Sequence, residues 1–165
     1  MKQNKAIETE FLSLIKENQG ILHKISFAYA CKGISGDDLY QEMILQLWKS
    51  YPGFKGQAKF STWMYRVALN TAISLTKRKS LFIDSVKLPA IAVDVQPPFE
   101  LSEEVKLLYQ AIGQLNKIEK AIILLWLEEQ SYQEIADTVG LSVNNVSVRL
   151  VRMKEKLAKI MQRLQ

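Results

Sequence analysis

The sequence predicts an all-α chain of two small helical domains joined by a linker, with a helix-turn-helix in the C-terminal domain. Three observations predict it. Apolar residues recur at helical spacing along most of the chain, and no stretch shows the strict alternation of a half-buried strand. Three of the four prolines fall within residues 81–101, where helical periodicity disappears, so this segment reads as the linker. SYQEIADTVGLSVNNVSVRL, residues 131–150, spaces its small and apolar residues as two helices crossing at a tight turn require. The predicted domains are therefore residues 1–80 and 102–165, a division that 165 residues comfortably supports.

In chain order, TEFLSLIKEN (9–18) and GILHKISFAYACKG (20–33) read as helices, the second closed by Gly33 as a left-handed cap. Ser35 with Asp38 gives a capping-box-like start to DDLYQEMILQLWKSY, which Pro52 and Gly53 end. GFKGQAKF (53–60) is a short basic loop. Ser61 or Thr62 then caps a long helix through about Lys79. On that helix Arg66 and Asn70 stand one turn apart on a shared face, with Trp63 one turn before them. The second domain begins with EEVKLLYQAIGQL, followed after Asn116 by KIEKAIILLWLEE. Ser131 and Ser142 hold N-cap positions, and Glu134 completes a capping box with Ser131.

Composition excludes several classes. A single cysteine, Cys31, allows no disulfide framework, and a single histidine, His23, leaves no zinc set and no catalytic triad with a choice of partners. No phosphate-cradling glycine loop appears, so neither a cofactor nor an enzymatic activity is expected. The longest strictly apolar run, AIILLWL (121–127), is far short of the roughly 20 residues a membrane span needs. The N-terminus has no apolar signal region, and the expectation is a cytoplasmic protein without membrane insertion.

Charge is distributed in blocks. No acid occurs between Met43 and Ile83, where Lys49, Lys55, Lys59, Arg66, Lys77, Arg78 and Lys79 add seven positive charges. Residues 84–137 carry a net of −6, and residues 138–165 oppose six basic residues to Glu155 alone. Two acid-depleted segments separated by an acidic one point to two contacts with a polyanion, and nucleic acid is the favoured partner.

The C-terminal segment says more. Ala136 is small enough for close helix crossing, Gly140 permits the left-handed turn, Leu141 plugs it and Val146 anchors the second helix. Val146, Leu150, Met153, Leu157, Ile160 and Leu164 form an apolar stripe. One residue before each stands Asn145, Arg149, Arg152, Lys156, Lys159 and Arg163, a nearly continuous basic stripe suited to phosphates. Short polar side chains follow the capping Ser142. Asn144, Ser147 and Val148 are placed near bases, with Asn145, Arg149 and Arg152 divided between bases and backbone.

The first half narrows the class. Asp38-Leu39-Tyr40-Gln41-Glu42, then Phe60-Ser61-Thr62-Trp63, then Arg66 to Asn70 resembles region 2 of bacterial sigma factors of the extracytoplasmic-function (ECF) type. SYQEIADTVGLSVNNVSVRLVRMKEKL is similar to their region 4, and the linker leaves no room for the region 3 domain of larger sigma factors. The resemblance implies a promoter-specificity subunit that joins core RNA polymerase. It assigns polymerase docking to the Asp38–Trp48 helix through Asp38, Gln41, Glu42, Leu47 and Trp48. It places capture of the −10 element as single-stranded DNA at Lys55, Lys59, Trp63, Arg66, Asn70, Lys77 and Arg78, with Trp63 open to either a strand contact or a core role. Reading of the duplex −35 element falls to Ser142, Asn144, Asn145, Ser147, Val148, Arg149, Arg152 and Lys156. An anti-sigma partner is implied as well. Two departures stand out: Lys120 where many relatives carry arginine, and an Asn-rich SVNNVSVR where many have Thr-Val-Lys. The alternative reading is a dimeric helix-turn-helix regulator that binds duplex DNA without polymerase. The basic segment 43–83 and the Asp38–Glu42 match oppose it.

Overall fold

The computed structural model describes residues 1–31, 33–86 and 102–165, with side chains for all of these except 79–86. Eight α-helices are seen among them: α1 Lys2–Glu17, α2 Gln19–Tyr29, α3 Gly36–Ser50, α4 Phe60–Val86, α5 Glu103–Gly113, α6 Lys117–Leu127, α7 Tyr132–Val139 and α8 Val143–Leu164. They fall into two compact units, one built from α1, α2 through Ser26, α3 and α4, the other mainly from α5 to α8.

In the first unit α3 and α4 form the principal packed pair. Leu39, Met43 and Leu47 of α3 meet Met64, Ala68, Leu69 and Ala72 of α4, all buried, and Leu22 and Ile25 of α2 and Phe11 and Ile15 of α1 complete the core. Each large aliphatic side chain removed from water in this way is worth about 1.5–3 kcal/mol, far more than helix propensity supplies. The start of α3 is fixed locally: the Ser35 hydroxyl oxygen accepts from the Asp38 amide at 3.0 Å, and Asp37 and Asp38 in the first turn complement the helix dipole.

Four boundaries differ clearly from expectation, the first being the start of α1 at Lys2, seven residues before Thr9. Helix α2 stops at Tyr29 with an extended Ala30, and Gly33, at φ 85°, serves instead the tight turn in which Cys31 and Ile34 exchange backbone hydrogen bonds. Neither Ser61 nor Thr62 caps α4; it begins at Phe60, and the Trp63 amide donates to the Lys59 carbonyl. The same helix continues through Val86 where a linker was expected, because no glycine or proline interrupts the chain between Phe60 and Pro89. The remainder of the predicted linker, 87–101, lies outside the described residues.

In the second unit α5, α6 and α7 all pack on α8. Two reciprocal capping boxes set its helix starts, Asn116 with Glu119 and Ser131 with Glu134. Ile122, Ile123, Leu125, Ile135 and Ala136 close over the stripe of Val146, Leu150, Met153, Leu157 and Ile160. Leu164, at the end of that stripe, is 40% exposed because α8 outruns the elements that cover it.

Candidate nucleic-acid interface

On α4 the buried residues Met64, Ala68 and Ala72 face the bundle, so helical phase turns Arg66, Asn70 and Lys77 outward together, and all three are exposed. Arg66 and Asn70 are therefore surface groups and not part of the core. Arg78, also exposed, stands a quarter turn around the helix. There it joins Asn70, Thr71 and Ser74 on one wall of an open groove whose other wall is Glu42, Gln46 and Ser50 of α3. The Gln46 amide donates to the Glu42 carboxylate at 2.8 Å, fixing the acid against that wall. The structure thus brings Glu42, expected at the polymerase-docking surface, to the same groove as Asn70 and Arg78.

Lys55 and Lys59 are exposed on the loop between α3 and α4. That loop is held by an aromatic cluster. Trp63 packs on Phe54 at 5.0 Å and Phe60 at 5.4 Å between ring centroids, and Tyr51 packs on Phe54 and Phe60. Phe11 of α1 reaches both Trp48 at 5.0 Å and Tyr51 at 5.1 Å. Desolvation, with the Glu10 carboxylate beside it, raises the Tyr51 phenol above its ordinary pKa of 10.0. Trp63 is half-buried, so its ring binds loop to helix. Five of its members lie between Trp48 and Trp63, and only packing shows that the loop folds them together and that Phe11 of α1 joins them.

On α3, Asp38 and Gln41 are exposed, Glu42 is half-buried and Trp48 is 41% exposed. Leu47 must be reassigned. It is 0% exposed, enclosed against α4, and has no surface to offer a partner; Leu45, 44% exposed, is the aliphatic residue that α3 presents.

In the helix-turn-helix, Gly140 adopts φ 74°, and the Gly140 and Leu141 amides both donate to the Ala136 carbonyl, which reverses the chain between α7 and α8. The Ser142 hydroxyl oxygen accepts from the Asn145 amide at 3.1 Å. Asn144, Asn145, Val148 and Arg152 are exposed, and Ser147 and Arg149 are half-buried. Arg149 Nε donates to Asn145 Oδ1 at 2.8 Å, so the asparagine orients the guanidinium. Lys156 is engaged within the protein: its amine pairs with Glu119 of α6 at 3.2 Å, the same carboxylate that caps α6. Lys154 lies over the Trp126 ring at 4.2 Å.

The family model for Sigma-70 region 2 matches residues 14–81, and that for Sigma-70 region 4 matches residues 106–157. The ECF RNA polymerase sigma-E factor of Haemophilus influenzae is 30% identical over 134 residues, covering 73% of this chain and 71% of that protein. This chain belongs to the ECF sigma factors. The sigma-E factor of Escherichia coli (strain K12) is 28% identical over 151 residues, 82% of this chain and 79% of its own. Two solved structures share the fold. One is the sigma factor RpoE with the anti-sigma factor NepR from Bartonella quintana (TM-score 0.75, 18% identity, 96% and 98% of the two chains). The other is CnrH with the cytosolic domain of CnrY (TM-score 0.63, 19% identity, 94% and 89%). As an ECF sigma factor the protein directs core RNA polymerase to promoters. In sequence terms α3 and most of α4 lie within region 2, and α6, α7 and most of α8 lie within region 4. Among the described residues no helix is long and apolar enough to cross a membrane, and no cluster of three or more histidine, cysteine or acidic residues could hold a metal ion.

Proposed function

We propose that the two units divide promoter recognition between them, without a catalytic step of their own. The observation that carries this reading is that each unit has its own exposed basic face beside a surface of different character. In the first unit, the Arg66–Asn70–Lys77 face and the Lys55 and Lys59 loop hold the separated strand of the −10 element. Arg78 supports that strand from the groove, and Trp63 fixes the loop that receives it. Asp38, Gln41, Leu45 and Trp48, with Glu42 at the groove edge, dock the core polymerase: charged groups set the register and the two exposed apolar groups supply buried area. In the second unit α8 enters the major groove of the −35 element. Asn144, Ser147 and Val148 meet bases, Arg149 (oriented by Asn145) and Arg152 reach bases or phosphates, and the Ser142 hydroxyl donates to a phosphate. Lys156 braces α8 against α6.

The protein works in the cytoplasm, where its polymerase is. An anti-sigma factor is its expected regulator, since both related folds above were solved with such a partner or with a cytosolic domain bound. Reconstitution with core polymerase tests the whole reading: the protein should join the enzyme and start transcription at a defined promoter. Tight operator binding by the protein alone, with no association with core polymerase, would refute it in favour of a free-standing regulator. Within the holoenzyme, Arg152→Ala should weaken duplex −35 binding about tenfold or more, while Asn70→Ala should impair strand opening and leave −35 binding intact. Equal losses in both assays would contradict the division of labour.

A further inference from the structure

The outward centre of α8 is apolar. Val148 is 44% exposed and Val151 59%, three residues apart on one face, with Asn144 one turn before Val148. The buried stripe from Val146 to Ile160 lies on the opposite side. Folding gains little from these valines. β-branched residues lower helix propensity, and an exposed valine removes little apolar surface from water. Arg152 stands exposed on one side, while Lys154 on the other is turned onto the Trp126 ring. Duplex DNA, the occupant proposed for this helix above, is polyanionic opposite Arg152 and must carry apolar spots opposite the valines.

The major groove satisfies both demands: phosphates line it, and the C5 methyl of thymine is the apolar group on its base edges. From Val148 to Val151 the helix rises about 4.5 Å, close to the ~3.4 Å between stacked base pairs. We propose that Val148 and Val151 read the methyl groups of thymines on adjacent base pairs of the −35 element, giving this sigma factor a preference for neighbouring T·A pairs there. The inference rests on the region 4 reading above and names its base specificity. Val151 is the added determinant, a residue that polarity and charge in the sequence do not mark. Glu155, exposed on the same face one turn further on, sets the limit, because a carboxylate is repelled by the phosphate backbone.

The full-length protein assembled with core polymerase is used to select duplexes from a library randomised over about one helical turn. Each thymine of the selected motif is then replaced by deoxyuridine, which keeps base pairing and removes only the methyl. Affinity should fall about fourfold per critical methyl, equivalent to ~0.8 kcal/mol, at two adjacent positions. Val148→Ala should abolish the sensitivity at one position and Val151→Ala at the other. Arg152→Ala should weaken all duplexes and keep both methyl effects. A motif with no methyl-sensitive thymine, or full sensitivity retained in both valine variants, overturns the inference and leaves region 4 as the −35 reader. A holoenzyme that selects no duplex motif overturns that reading and the inference with it.

Discussion

Glu129 holds φ 59° in the turn after α6, its amide donating to the Trp126 carbonyl at 3.0 Å. A non-glycine residue in the left-handed region costs about 1–2 kcal/mol. Glu129→Gly relieves that cost and adds back part of it through a more flexible unfolded chain, so a net gain of about 0.5–1 kcal/mol is expected. Urea unfolding measures it, and a loss of stability would show that the Glu129 side chain contributes more than its backbone forfeits. The same scale separates two leucines. Leu47→Ala opens a cavity between α3 and α4 and should cost about 2–5 kcal/mol of folding stability. Leu45→Ala should leave stability within about 0.5 kcal/mol yet weaken capture of core polymerase. A sequence shows that both lie on an apolar helix but not which of them a neighbouring helix covers. That is why Leu47 was legible as important and misread as a contact. Arg66 and Asn70 were legible as a pair, and only packing shows that they face outward.

At the scale of elements, capping chemistry was the most readable signal. Ser35, Ser131 and Ser142 all accept the amide three residues on, as their spacing predicts, because a cap involves only local backbone. Gly140 was equally readable, and its environment makes a clean test. A β-carbon built at this position meets nothing within 4 Å, so the left-handed conformation is the only obstacle to a side chain. Gly140→Ala is expected to cost about 1–2 kcal/mol in thermal or chemical unfolding, and Gly140→Asn distinctly less, since asparagine visits this conformation more readily. Equal costs would mean that the turn between α7 and α8 tolerates no side chain for some reason other than backbone angle. Where an element ends by exhaustion rather than by a cap, the sequence was a poor guide, as in the extension of α4 to Val86. Gly33 shows the converse: a left-handed glycine was expected and found, but in a turn rather than on a helix end.

For the whole molecule the block pattern of charge decides how binding should respond to salt. Affinity for duplex −35 DNA falls with log salt at a slope of about −0.9 per phosphate neutralised. Sequence alone enrolls the whole basic stripe of α8 in that count. The structure separates its members, because Lys156 already serves Glu119, whereas Arg152 is exposed with no ion pair among the described contacts. Arg152→Gln should therefore make the slope shallower by about one unit, and Lys156→Gln should leave it nearly unchanged while lowering stability by less than about 1 kcal/mol. The measurement is −35 duplex affinity of the holoenzyme over a salt series, with unfolding followed on the same variants. A full unit lost in Lys156→Gln would mean that DNA draws the lysine away from Glu119. In that event the stripe read from the sequence describes the bound state better than the packing of the free chain does.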